Sequence, residues 1–181
     1  MQQDVIIIRM IEHNMITKYH YHNYGYICLA VKNPINLPAQ IEIDGKILFK
    51  KDELHISLMA LKHLVPMINI GTNNVSEDDL VQDFLDYQST TDLSQFQPSN
   101  IFHYVKRDER ESIVIMADVP NLEGLFEMLR AKYGVDLPIQ PTHITLYTLQ
   151  PEAGIGILSQ NELERDSKRV DLPELKLIWN D

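Results

Sequence analysis

The sequence predicts an α+β fold, in which helices connect some of the antiparallel strands. Several segments, such as 24–32, are rich in β-branched and aromatic residues, as is typical of strands. Two segments repeat apolar residues at helical spacing behind a polar capping residue. The sequence Gly154-Ile155-Gly156 lacks the third glycine and the preceding context of a dinucleotide-binding loop, so it is interpreted as a turn. These observations favour α+β over a doubly wound nucleotide-binding sheet.

The first half of the chain is predicted to consist mainly of strands. A polar stretch from Lys18 to Asn23 separates the first two strands, and Pro34 and Pro38 interrupt the chain after the second. Asp44-Gly45 favours positive φ, so it predicts the turn of a hairpin. The strands predicted here are 4–11, 24–32, 40–44, 46–50 and about 54–61.

The second half is predicted to contain the helices. Ser76 followed by three acidic residues marks the start of a helix that ends near Gln88. Asn121 is expected to cap a second helix, which Gly134 ends in the left-handed conformation. A polar loop is expected at 89–100, strands at about 101–106, 112–119 and 142–149, a short acidic helix at about 159–166 and a weak last strand near 175–179.

Composition narrows the class of protein. The chain has 181 residues, 44% apolar and 23% charged, which predicts over 1–181 one globular domain or two small lobes that share a core. Its 16 basic and 26 acidic side chains give a formal net charge of −10, which disfavours coating of duplex DNA or of an anionic membrane but leaves a nucleotide or a nucleic-acid end possible. Cys28 is the only cysteine, which excludes an internal disulfide. No apolar run approaches the roughly 18 residues of a membrane helix, and no secretory signal is evident, so we expect a cytoplasmic protein, as a monomer.

Two strands share a motif. The tetrapeptides His55-Ile56-Ser57-Leu58 and His143-Ile144-Thr145-Leu146 both place a histidine two residues before a hydroxyl side chain. Side chains alternate across a strand, so His55 and Ser57 are predicted on one face and the apolar residues on the other. Each strand is therefore expected to present an imidazole beside a hydroxyl on its polar face.

That pattern suits phosphodiester chemistry. A neutral imidazole takes up a proton and an imidazolium releases one near pH 7. Two histidines can divide the work, one deprotonating the attacking oxygen and the other protonating the leaving oxygen. The hydroxyl groups of Ser57 and Thr145 can donate hydrogen bonds to phosphoryl oxygens. This scheme requires no metal or cofactor.

The paired H-Φ-[ST]-Φ strands, where Φ is apolar, resemble those of the two-histidine (2H) phosphoesterase superfamily, which includes 2′–5′ RNA ligase-like proteins and 2′,3′-cyclic phosphodiesterases. The 88 positions between the histidines (143 − 55) and the length of the chain are similar too. The resemblance implies a bilobal fold, two pseudo-symmetric antiparallel sheets with helices outside and one motif in each lobe, around a central cleft. It also implies that His55, Ser57, His143 and Thr145 are the catalytic residues.

The substrate stays open at this point. The motif agrees with three substrates: an RNA end, a nucleotide with a cyclic phosphate and a cyclic oligonucleotide. It also agrees with two reactions, which are cyclic phosphate opening and 2′–5′ linkage cleavage or ligation. Which histidine is the base is also open. The alternative function is a binding module that holds a nucleotide or RNA end in the same cleft without turnover.

Further side chains are candidates for substrate binding. Tyr147 follows His143 by an even number of positions and is expected on the same face. His22 and Tyr24 belong to a segment rich in tyrosine and histidine that packs in a sheet or lines the cleft as a stacking surface for bases. His20 and His22 lack a third ligand, so no metal site is predicted. His103 has no partner pattern and is expected to be structural or exposed.

Overall fold

A computed structural model describes residues 19–22, 25–71, 73–151 and 154–179. In these ranges the fold is α+β, as predicted, with four helices and strand pairs that are all antiparallel where a register is defined. The predicted strand 4–11 lies outside the described residues. The described chain divides into two compact units, which we call unit 1 and unit 2.

Unit 1 contains the three longer helices. It comprises the described residues up to Leu29, together with Ser57–Phe96 and Val119–Ile139. Its elements are β1 (Tyr19–His22), β2 (Tyr26–Val31) as far as Leu29, the last half of β5 (Leu54–Met59), α1 (Leu61–Ile68), α2 (Glu77–Gln88) and α3 (Leu122–Tyr133).

The ends of α2 and α3 follow the predicted chemistry at most points. The Ser76 side chain accepts from the Asp79 amide, and Asp79 accepts from the Ser76 amide, which forms a capping box. Gly134 ends α3 with φ 67°, as expected. Asn121 does not cap α3 with its side chain, because its backbone is left-handed and its Nδ2 donates to the carbonyl of Asp92 instead.

The helix α1 was not predicted. The segment was expected to continue β5 to residue 61, but β5 ends at Met59 and the chain turns into a helix that buries Leu61, Leu64 and Ile68. These residues have helical spacing over only two turns, which made them look like the end of an apolar strand. Pro66 inside the helix further obscured the pattern.

Unit 2 contains most of the strands. It comprises Ala30–Ile56, Gln97–Asp118 and the described residues from Gln140. Its elements are the first half of β5, β3 (Gln40–Ile43), β4 (Lys46–Lys50), β6 (Gln97–Arg107), β7 (Arg110–Asp118), β8 (His143–Thr148), α4 (Gln160–Asp166) and β9 (Ser167–Val170).

The strands of unit 2 follow the order β5-β8-β7-β6-β9, and the β3–β4 hairpin attaches to β8 through β4. Asp44 and Gly45 have φ of 51° and 73°, which confirms the predicted hairpin turn. The predicted last strand near 175–179 is wrong. The final strand is β9, directly after α4, where it pairs with β6.

The two motif histidines belong to the same unit. His55 and His143 both lie in unit 2, whereas Ser57 lies in unit 1, so these units do not separate one motif from the other. The strand β5 changes unit between Ile56 and Ser57.

Candidate functional site

The strands β5 and β8 are neighbours and run antiparallel. Ile56 is opposite Ile144, and both side chains are fully buried. The same register sets His55 opposite Thr145. Because residues that pair directly point to the same side of a sheet, His55, His143 and Thr145 all lie on the side away from the two isoleucines. We call this side of unit 2 the histidine face.

The hydroxyl of the first motif lies in unit 1. Ser57 follows His55 by two positions on β5, and the burial along β5 alternates as the sequence predicted. Its Oγ lies 3.6 Å from the Sγ of Cys28. Burial raises the pKa of the Cys28 thiol to about 11, and the hydrogen bond with Ser57 opposes this increase. The cysteine therefore stays a neutral thiol at physiological pH.

His143 is held with a defined orientation. It is only 8% exposed, and its Nδ1 lies 2.7 Å from the carbonyl oxygen of Pro141. A carbonyl oxygen only accepts, so Nδ1 carries the proton and donates it. Nε2 is then the ring nitrogen left for proton exchange, and it has no hydrogen-bond partner in the described ranges.

The surroundings of His143 favour its neutral form. Burial lowers the pKa of this imidazole below its ordinary value of 6.5, the hydrogen bond to Pro141 opposes the decrease, and the charge of a protonated His103 adds to it. A neutral imidazole whose Nδ1 carries the proton has a lone pair on Nε2. At pH 7 His143 is therefore prepared to accept a proton rather than to give one.

A third histidine shares this face, although its sequence pattern predicted only a structural or exposed residue. His103 on β6 is opposite Val114 on β7, which is opposite Thr145 on β8. Its Nδ1 lies 2.8 Å from the Oγ of Ser167. Only the register of the β6–β7 hairpin could have revealed it, because alternation along β6 alone does not say which side faces the motif strands.

An apolar cluster covers part of the same face. Val114 packs with Val105 of β6, and both are fully buried beneath the segment that leads into α4 and the helix itself. That covering consists of Ile155, Ile157 and Leu163. Met116, opposite His143, is only partly buried and packs at the border of the cluster. The cluster thus ends beside the buried histidine.

Tyr147 does not share the face of His143, contrary to the prediction. The register between β7 and β8 shifts between Ile113 and Val114, so Tyr147 is opposite Ile113 while Thr145 is opposite Val114. Such a bulge turns the following residue to the other side of the sheet. Tyr147 is fully buried there, and its hydroxyl donates to the carbonyl of Pro38 at 3.1 Å. Burial raises its pKa to about 12.

The other substrate-binding candidates are not described by the structure. Tyr24 lies outside the described residues, and for His22 only the backbone of β1 is described. In the described ranges, no three histidine, cysteine, aspartate or glutamate side chains gather as metal ligands, and no helix has the length and apolar character to cross a membrane. Comparison of the chain with protein-family models, with curated proteins and with solved structures finds no match.

Proposed function

We propose that this protein is a metal-independent phosphodiesterase of the 2H type that acts on RNA ends or nucleotides. The reaction class is opening of a 2′,3′-cyclic phosphate, or cleavage or joining of a 2′–5′ linkage. The observation that supports it best is the common face of His55, His143 and Thr145 on adjacent antiparallel strands. The proposal includes the bilobal, pseudo-symmetric 2H architecture, for which the α+β class and the antiparallel pairing of the motif strands are the support.

We assign His143 as the general base. Its Nε2 takes a proton from the attacking water or hydroxyl as the oxygen of that group forms a bond to phosphorus. The fixed Nδ1–H and the lowered pKa both support this role, since they leave a neutral ring with one available lone pair. The protonated form that results still donates through Nδ1 to Pro141.

His55 is then the general acid. It gives a proton to the ribose oxygen that leaves when the other phosphorus–oxygen bond breaks. It lies opposite Thr145 on the neighbouring strand and is half-buried, in contrast to the deeply buried His143. The Thr145 hydroxyl donates to a non-bridging oxygen, where negative charge grows in the transition state. Ser57 has the corresponding role by the resemblance.

The proposal is tested by hydrolysis in excess EDTA of a panel of substrates: 2′,3′-cyclic mononucleotides, 2′–5′-linked dinucleotides and cyclic oligonucleotides. The variants are His55→Ala and His143→Ala, with the exposed His63 on α1 changed to Ala as the matched control. We expect turnover of at least one substrate, lost in both motif variants and kept in the control.

Turnover that persists in either motif variant contradicts the mechanism. Absence of turnover over the whole panel by a folded protein contradicts the enzyme assignment. If that protein still binds the nucleotides, the binding module becomes the better description.

A further inference from the structure

One arginine of this acidic chain lacks an acidic partner among the described residues. The other described arginines each have a carboxylate oxygen no more than 3.9 Å away, namely Arg107, Arg110, Arg130 and Arg165. Arg169 on β9 is exposed and has no ion pair in the described ranges. In a protein with a net charge of −10, a guanidinium without a carboxylate is a position where an external anion can bind.

Arg169 lies on the histidine face. It is opposite His103 in the β6–β9 pair, and the row continues through Val114 to Thr145. Three strand spacings of about 4.8 Å place its Cα about 14 Å from that of Thr145. The positive charge of Arg169 also lowers the pKa of His103, after the larger effect of burial.

His103 is oriented by a short chain of hydrogen bonds. The hydroxyl of Ser167 donates to the carbonyl of Leu163 at 2.6 Å. That use of its single proton leaves Ser167 as the acceptor from Nδ1 of His103. The Nε2 of His103 thus has no hydrogen-bond partner in the described ranges, as is also the case for the Nε2 of His143.

We propose that Arg169 and His103 form a second anion subsite, which takes a phosphate group of the substrate other than the one attacked. The inference rests on the proposed function and narrows it: the preferred substrate carries at least two phosphates, as an oligonucleotide end or a nucleoside bisphosphate does. Arg169 supplies the charge, and a planar guanidinium matches two phosphate oxygens at once.

The phosphate also changes the state of His103. Burial and the charge of Arg169 lower the pKa of this imidazole below its ordinary value of 6.5, which favours the neutral ring at pH 7 when the subsite is empty. His103 interacts electrostatically with Arg169 on β9 and with His143 on β8. Its neighbour on β7 is the uncharged Val114. A bound phosphate offsets the arginine charge, so His103 can take up a proton and donate from Nε2.

The matched control for Arg169→Gln is the preceding residue. Lys168 carries the same charge but is opposite Tyr104, on the other side of the sheet, where its Nζ lies 2.9 Å from Asp44. Lys168→Gln therefore changes the net charge equally without touching the proposed subsite.

The experiment is calorimetric titration with adenosine 3′-monophosphate and adenosine 3′,5′-bisphosphate. We expect the unmodified protein to bind the bisphosphate at least about tenfold more tightly, as a charge-assisted contact provides. Arg169→Gln should abolish that preference and leave binding of the monophosphate unchanged, whereas Lys168→Gln should keep it.

Three outcomes overturn the subsite. One is equal binding of both nucleotides, and another is a preference that survives Arg169→Gln. The third is Arg169-dependent binding of inorganic phosphate that does not compete with the bisphosphate, which would make this a site for a free anion. Failure to bind either nucleotide contradicts the proposed function itself, so the two failures are distinguishable.

Discussion

Replacing His143 by glutamine tests the base assignment directly. A glutamine side chain is polar and uncharged, but no atom of its amide takes up a proton at neutral pH. Because Nδ1 of His143 donates its proton to the carbonyl of Pro141, Nε2 is the only ring nitrogen that can accept a proton. General base catalysis contributes about 10² to 10⁴ in rate, or about 3–5 kcal/mol of transition-state stabilisation. We expect kcat/KM to fall by that factor.

The pH dependence separates the base from the acid. In the unmodified protein kcat/KM should fall on the acid side as His143 becomes protonated, with a midpoint below 6.5, since burial lowers the pKa of this imidazole. His143→Gln should remove that acid limb, and His55→Gln should remove the basic limb. His63→Gln is the control and should keep both. If the acid limb persists in His143→Gln and disappears in His55→Gln, the assigned roles are wrong.

Four other predictions concern the same face and two glycines. Thr145→Val should lower kcat by about 100-fold, because it removes one hydrogen-bond donor to the charge that develops in the transition state. The free energy of unfolding should change little. Steady-state kinetics checks the first expectation and chemical denaturation the second. The free energy of unfolding should decrease as the pH falls through 6.5, because His143 takes up a proton more readily in the unfolded chain than in the folded chain. If the free energy of unfolding of His143→Gln depends on pH as steeply as that of the unmodified protein, this prediction is wrong. Gly45→Ala should lower the free energy of unfolding by about 1 kcal/mol, because Gly45 has a left-handed backbone but an added Cβ would meet no atom within 4 Å. Gly25→Ala should lower the free energy of unfolding further, since its Cβ would lie 2.9 Å from the Cβ of Lys62. Equal decreases for the two variants, measured by urea denaturation, would refute the steric argument.

Local chemistry made much of the fold predictable. The Ser76 cap, the Asp44-Gly45 turn and the Gly134 end each depend on residues within a few positions, and each is observed. The repeated tetrapeptide also predicted which faces of two strands carry the histidines, and the pairing of Ile56 with Ile144 brings those strands together.

What sequence could not predict depends on pairing between distant strands. The bulge that turns Tyr147 to the other side arises from the register of β7 with β8, and no residue of β8 alone marks it. His103 joins the histidine face only through Val114 of β7. The strand β9 is four residues long and mostly polar, so its β structure depends on the partner β6 rather than on its own composition.

The position of β9 has a consequence for solubility. It is the last strand in the order of unit 2, and its outer edge has no partner strand in the described ranges. A free strand edge is a template for self-association, which charged side chains suppress. Lys168 and Arg169 are exposed in the middle of β9. An apolar residue in place of Arg169 would remove one of these two edge charges, so we expect it to favour self-association through β9 whether or not the anion subsite exists.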